Sequence, residues 1–146
     1  MGQTLIAILG TLAGVALTSL FQARTDRRAR TDARRAEGLG AVEALVAALA
    51  DHRRAMWVRE DLRLRGEDWT EARTASHATR SAITAPLLRV QLLLPAVVAD
   101  AQAAVQAAYD LRAARSTTAL AQRRTEAITA SDDLVSAVGR HVARVR

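Results

Sequence analysis
Cysteine, lysine and asparagine are absent from this chain, and its aromatic residues are only Phe21, Trp57, Trp69 and Tyr109. Without cysteine there is no disulfide framework, no thiolate zinc site and no cysteine nucleophile. Two prolines, seven glycines and this poverty in aromatics set the chain apart from sandwiches and barrels, which need more β-branched and aromatic residues and more turns. What is abundant is alanine, 33 of 146 residues, and arginine, which supplies all 21 basic residues. Both fit GC-rich coding DNA, a mutational bias rather than a function. The composition is that of helix, the length suits one domain or a smaller one plus an appendage, and the formal net charge is +6.

The apolar residues crowd at one end. Thr4 to Phe21 (TLIAILGTLAGVALTSLF) is uncharged and holds nine Leu, Ile, Val or Phe. Eighteen helical residues reach about 27 Å against a hydrocarbon core of roughly 30 Å, and Gly2, Gln3 and Gln22 extend the run at the interfaces. This reads as a retained transmembrane helix with Phe21 as an interfacial anchor. A cleavable signal peptide fits less well, because no basic residue precedes the run and Ser19-Leu20-Phe21-Gln22-Ala23 makes a poor cleavage site. A buried core helix accounts for about 10–14 apolar residues more readily than for this many. Gly10 and Gly14 form a GxxxG pair, continued by Ala7 and Thr18, a small-residue stripe of the kind through which membrane helices associate and which chance also produces.

An arginine collar follows. Arg24, Arg27, Arg28, Arg30, Arg34 and Arg35 outnumber Asp26 and Asp32, leaving a local net charge of +4. The positive-inside rule then places the N-terminus outside and the bulk of the chain in the cytoplasm at the plasma membrane. These arginines are candidates for anionic-lipid contact, at about 1 kcal/mol each, and also for a solvated helical face with pairs such as Asp26 and Arg30. A nucleic-acid patch is disfavoured by the interspersed aspartates and by the lack of any aromatic residue from Gln22 to Met56.

Beyond the collar, Leu39, Val42, Val46, Leu49 and Met56 follow coiled-coil spacing with Arg53 at one seam position. Gly38 and Gly40 weaken the helix locally and suggest a joint. This helix is expected to end at Arg65-Gly66 and a second to start at Asp68, with Glu71 completing a capping box. Pro86 is expected to kink the second helix and Pro95 to open a third, whose stripe is Val97, Ala101, Ala104, Ala108 and Leu111. Ser116 or Thr117 caps a fourth, carrying Leu120, Ile128, Leu134, Val135, Val138, Val142 and Val145. The fold expected is all-α: an N-terminal transmembrane anchor (1–22), an arginine-rich juxtamembrane helix (23–37) and a cytoplasmic antiparallel bundle of about four helices, coiled-coil-like (38–146). Alanine buries little apolar area, so a homo-oligomer is expected to supplement the core.

No enzymatic constellation is visible. His52, His77 and His141 fall on different expected helices without metal-ligand spacing. There is no nucleophile elbow and no phosphate-binding glycine loop, and Glu60-Asp61, Glu67-Asp68 and Asp132-Asp133 read as helix-end or solvated acids. Neither catalysis nor a cofactor is expected. Trp57 and Trp69 flank the tip of the first hairpin, placed to pack across it or to contact a partner.

The stretches GTLAGVALTSLFQ, ADHRRAMWVREDLRLRG, ASHATRSAITAPL and AAVQAAYDLR together resemble the KilB-type proteins of actinobacterial conjugative plasmids and integrated elements. The resemblance implies a part in plasmid transfer or spread within the mycelium, with other plasmid-transfer proteins as candidate partners, and harm to the host when expression is unregulated. It brings no active-site residues. The leading expectation is a noncatalytic, self-assembling membrane protein that supports plasmid spread. The alternatives are a membrane-perturbing, holin-like protein and a soluble helical DNA-binding regulator.

Overall fold
The computed structural model describes residues 2–144, with side chains at position 22 and from 24 to 144. Every described element is helical: α1 (Gly2–Arg65), α2 (Thr70–Leu93), a 3-10 turn (Pro95–Val97), α3 (Val98–Tyr109) and α4 (Thr117–Arg144). The chain divides into two units, Met1–Ala36 and Glu37–Arg146. Within the first, the collar residues Arg24, Arg27, Arg28, Arg30 and Arg34 are exposed and Arg35 is half-buried. Among the described residues no single helix is long and apolar enough to cross a membrane. The side chains of the expected span, Gly10 and Gly14 included, lie outside the described residues.

In the second unit the helix ends follow local chemistry. Gly66 adopts φ +72°, and the Gly66 and Glu67 amides donate to the carbonyls of Arg63 (3.2 Å) and Leu62 (3.0 Å), the paired bonds of a Schellman motif. Asp68 accepts from the Thr70 amide at 3.0 Å, which holds its carboxyl below the usual range, but the N-cap position itself is Trp69, which offers no side-chain bond. The expected capping box therefore gives way to an Asx turn one residue earlier. Ser116, not Thr117, caps α4, accepting from the Ala119 amide at 3.1 Å. Pro95 opens the 3-10 turn that precedes α3 rather than α3 itself.

At Leu94 the chain changes direction by 118°, short of the reversal that an up-down-up-down bundle requires. At 12 residues α3 is also less than half the length of α4, which has 28. The connection from Asp110 to Ser116 therefore fills part of the core. One apolar cluster joins Leu45 and Leu49 of α1, Ile83 and Val90 of α2, the buried stripe Val97, Ala101, Ala104 and Ala108, and Leu134 and Val138 of α4. A second joins Met56, Leu111, Ala114, Leu120 and Ala127. The third-helix stripe is buried as read.

Two expected stripes are displaced. On α1 the buried face runs through Val42, Leu45, Leu49, His52, Met56 and Glu60, while Leu39 is exposed. A helix facing three neighbours buries a wider stripe than a two-helix seam, so the face is centred off the coiled-coil positions. On α4, Ile128 and Val135 are exposed, and Ala127, Ser131 and Ala137 take the inner positions.

The two glycines near the start of the second unit differ. A Cβ at Gly40 meets nothing within 4 Å, whereas one at Gly38 lies 3.1 Å from Cγ of the buried Leu94. Gly40→Ala is expected to raise stability by about 0.5–1 kcal/mol through helix propensity alone. Gly38→Ala, with the same propensity gain, is expected to lag it in thermal denaturation because Leu94 must shift; equal stabilisation by both would show that Leu94 yields freely.

Candidate functional site
Seven residues beyond Leu49 along the inner face of α1, the apolar positions give way to Met56 and then to an acid. Glu60 is fully buried, contrary to its expected place among solvated or helix-end acids. Its Oε2 accepts from Arg63 Nε at 2.7 Å and from the Ala113 amide at 3.1 Å, and its Oε1 lies 3.6 Å from Arg59 Nε. Ala113 is the one described non-glycine residue with positive φ, at 59°. The Arg63 guanidinium also donates to the Ala114 carbonyl. From α4, Arg123 donates to the carbonyls of Asp110 (2.8 Å) and Arg112 (3.0 Å). One carboxylate and two guanidiniums thus satisfy four backbone groups of the turn after α3, the Ala113 amide and the Asp110, Arg112 and Ala114 carbonyls.

Arg59 is held in turn by the other side of α1's surroundings. It sits 5.2 Å from the Trp69 ring, which Arg73 approaches at 5.7 Å, and it donates to Ser76 Oγ at 3.4 Å. Burial, opposed by Glu60 and reinforced by Arg112, Arg73 and Arg63, pulls its pKa below the ordinary arginine value. Trp57, half-buried, packs against the Met56 cluster and lies under Arg124 of α4 at 4.9 Å. The two tryptophans at the hairpin tip are therefore each stacked with arginine, on different neighbours.

His52 is buried, with its Nδ1 3.0 Å from Thr79 Oγ1 and its ring edge-on to Tyr109 at 5.5 Å between centroids. Thr79 has one hydroxyl hydrogen, and its Oγ1 is bonded to the carbonyls of Ala75 (3.2 Å) and Ser76 (3.1 Å). With that hydrogen directed to either carbonyl, Nδ1 is the donor and the neutral ring keeps its lone pair on Nε2. Burial first, then the charges of Arg80 and Arg59, lower the His52 pKa from 6.5 to about 4. Among the described residues no group of His, Asp or Glu is placed to hold a metal ion.

Reading the sequence missed His52, Arg59, Glu60 and Arg80 as positioned groups. The available signal was spacing: His52, Met56 and Glu60 continue the Leu45–Leu49 stripe at steps of three and four. The bond from Arg53 to Ser131 Oγ at 3.1 Å explains why an arginine is tolerated at the expected seam position.

Two outcomes follow from these geometries. Glu60→Ala leaves Arg63 and the Ala113 amide without their acceptor and Arg59 without its counter-charge, and a loss of about 3 kcal/mol is expected in urea denaturation. Asp61→Ala, which removes only a surface pair with Arg65, should cost under about 1 kcal/mol. The second concerns pH. Because the folded state binds the His52 proton more weakly than the unfolded state, stability falls as pH drops from 6.5 towards 4, by about 2 kcal/mol at pH 5. A His52→Gln protein that lost as much stability as the wild type between pH 7.5 and pH 5 would refute this.

The KilB plasmid transfer protein family matches residues 39–142, which span the bundle from α1 to α4. Protein KilB of Streptomyces lividans is 60% identical over 143 residues, 96% of this chain and 97% of that protein. No solved structure matches. With the match covering the helices that carry the Glu60 clamp and the His52 cluster, and a relative aligned almost from end to end, the chain belongs to the KilB plasmid transfer family.

Proposed function
We propose that this chain is a noncatalytic membrane protein whose cytoplasmic helical bundle self-assembles and supports the transfer or spread of a conjugative plasmid. The observation that carries this reading is the likeness to the Streptomyces lividans protein over nearly the whole chain, the apolar N-terminal run and arginine collar included. Family membership supports the part in plasmid transfer. The uncharged run from Thr4 to Phe21 followed by six arginines supports a single-pass anchor with its N-terminus outside. Residues 1–22 are then the anchor, 23–37 the lipid-facing collar and 38–146 the working bundle.

Self-assembly has three supports. Leu88 and Leu92, one turn apart on α2, are exposed at 53% and 72%, a large apolar surface to leave in water. The core itself is alanine-rich, and an alanine methyl contributes roughly a third of what a buried leucine does. In the anchor, the Gly10 and Gly14 pair offers a second contact between copies.

Fractionation and crosslinking test the reading together. The intact protein is expected in the membrane fraction, with the bundle accessible to protease only from the cytoplasmic side, and as crosslinked multimers that diminish when Gly10 and Gly14 are both replaced by leucine. A soluble protein, or undiminished plasmid spread after deletion of the gene, would overturn it.

A further inference from the structure
The His52 cluster opens onto a recess of about 20 Å³ between α1, α2 and the end of α3. Three arginines line it, from three different elements: Arg59 of α1, Arg80 of α2 and Arg112 of the turn after α3. His52 and His77 add two imidazoles, and no carboxylate lines it. Among the described residues neither Arg80 nor Arg112 has a carboxylate within salt-bridge distance; Arg80 lies over the Tyr109 ring at 4.3 Å. Arg59 has only Glu60 at 3.6 Å, and its buried Nε makes no hydrogen bond.

Arg80 and Arg112 are exposed, so their charges are open to a ligand from solvent. Three like charges around one small recess repel each other, and Arg59 is held there by Trp69 and Ser76 rather than free to swing into solvent. We infer that the recess is a binding site for a phosphate monoester, with Arg59, Arg80 and Arg112 as its ligands. Guanidiniums arriving from three directions match the several oxygens of a tetrahedral oxyanion, whereas a carboxylate is satisfied by a single fork. The recess has room for about one water-sized group, so it takes a single phosphoryl oxygen and leaves the rest of the phosphate at its mouth, where Arg80 and Arg112 are exposed. Binding also gives the neutral His52 an adjacent negative charge, which favours its protonated form at Nε2. The site does not depend on the proposed membrane anchor or on self-assembly.

The headgroup of an anionic phospholipid and a soluble phosphate ester share this chemistry, and one experiment separates them. The full chain in dodecyl maltoside micelles, a detergent without phosphate, is titrated with inorganic phosphate, and separately with micelles containing phosphatidic acid, while histidine side-chain resonances are followed by NMR. Phosphate is expected to raise the His52 pKa by at least one unit over its value in chloride, and Arg80→Gln with Arg112→Gln to weaken binding at least tenfold while circular dichroism stays unchanged. Saturation by phosphatidic acid at a tenfold lower concentration supports the site and assigns it to a lipid headgroup; the reverse order supports the site and assigns it to a soluble ester. An unmoved His52 resonance in both arms, or equal binding by the double variant, would overturn the inference. Should the double variant unfold, Arg80→Gln alone, which removes an exposed side chain and its stacking on Tyr109, carries the same comparison.

Discussion

A carboxylate removed from water must be neutralised and hydrogen-bonded, or it costs several kcal/mol. Glu60 meets that demand at Oε2, which accepts from Arg63 and the Ala113 amide, while Oε1 has the Arg59 charge at 3.6 Å and no hydrogen bond. The second apolar cluster depends on this contact. The contact holds a short, irregular connection against α1, and that connection carries Leu111 and Ala114 into the second apolar cluster. Because α3 stops after 12 residues, the lower part of the core has no third helix and relies on the turn instead. The left-handed Ala113 is the local strain that this arrangement tolerates.

The surplus of arginine gains a structural meaning from the same geometry. Arg63 and Arg123 act as caps for carbonyls in the turn after α3, Arg53 bonds Ser131 across 78 positions, and Arg59 and Arg124 stack on the two tryptophans. Lysine, a compact point charge, cannot donate to two acceptors in a plane while lying flat on a ring. An alanine-rich core leaves narrow spaces between helices, and long planar side chains at the margins cover what alanine does not. Charge is thereby concentrated at the bundle's seams, and around His52 it is concentrated without a matching acid.

Family membership and the structure bear on different parts of the functional reading. The family supports a part in plasmid transfer. The bundle leaves Leu88 and Leu92 exposed and places three arginines around one recess. Much of the fold was legible in advance: four helices, the Gly66 stop, the Ser116 cap and the buried third-helix stripe. The inner face of α1 was not, because Leu39, Val42 and Val46 keep as good a helical period as Val42, Leu45 and Leu49 do. Only the positions of the three neighbouring helices choose between the two. The site was less legible still, since His52, Glu60 and Arg80 are ordinary polar residues until burial or convergence gives them a partner.

The amino-acid sequence by itself determined the helices, the stop of α1 at Gly66 and the start of α4 at Ser116, because propensity, glycine at positive φ and a serine cap all act over a few residues. It also set the uneven distribution of charge and apolar residues along the chain, which is a property of order alone. Tertiary structure decided which charges are buried and with what. Glu60 meets Ala113 across 53 positions, His52 meets Thr79 across 27, and three arginines from separate elements share one recess. Desolvation and Coulomb interactions depend on distance in space and not along the chain, so these pairings, and the chemistry they permit, exist only in the folded protein.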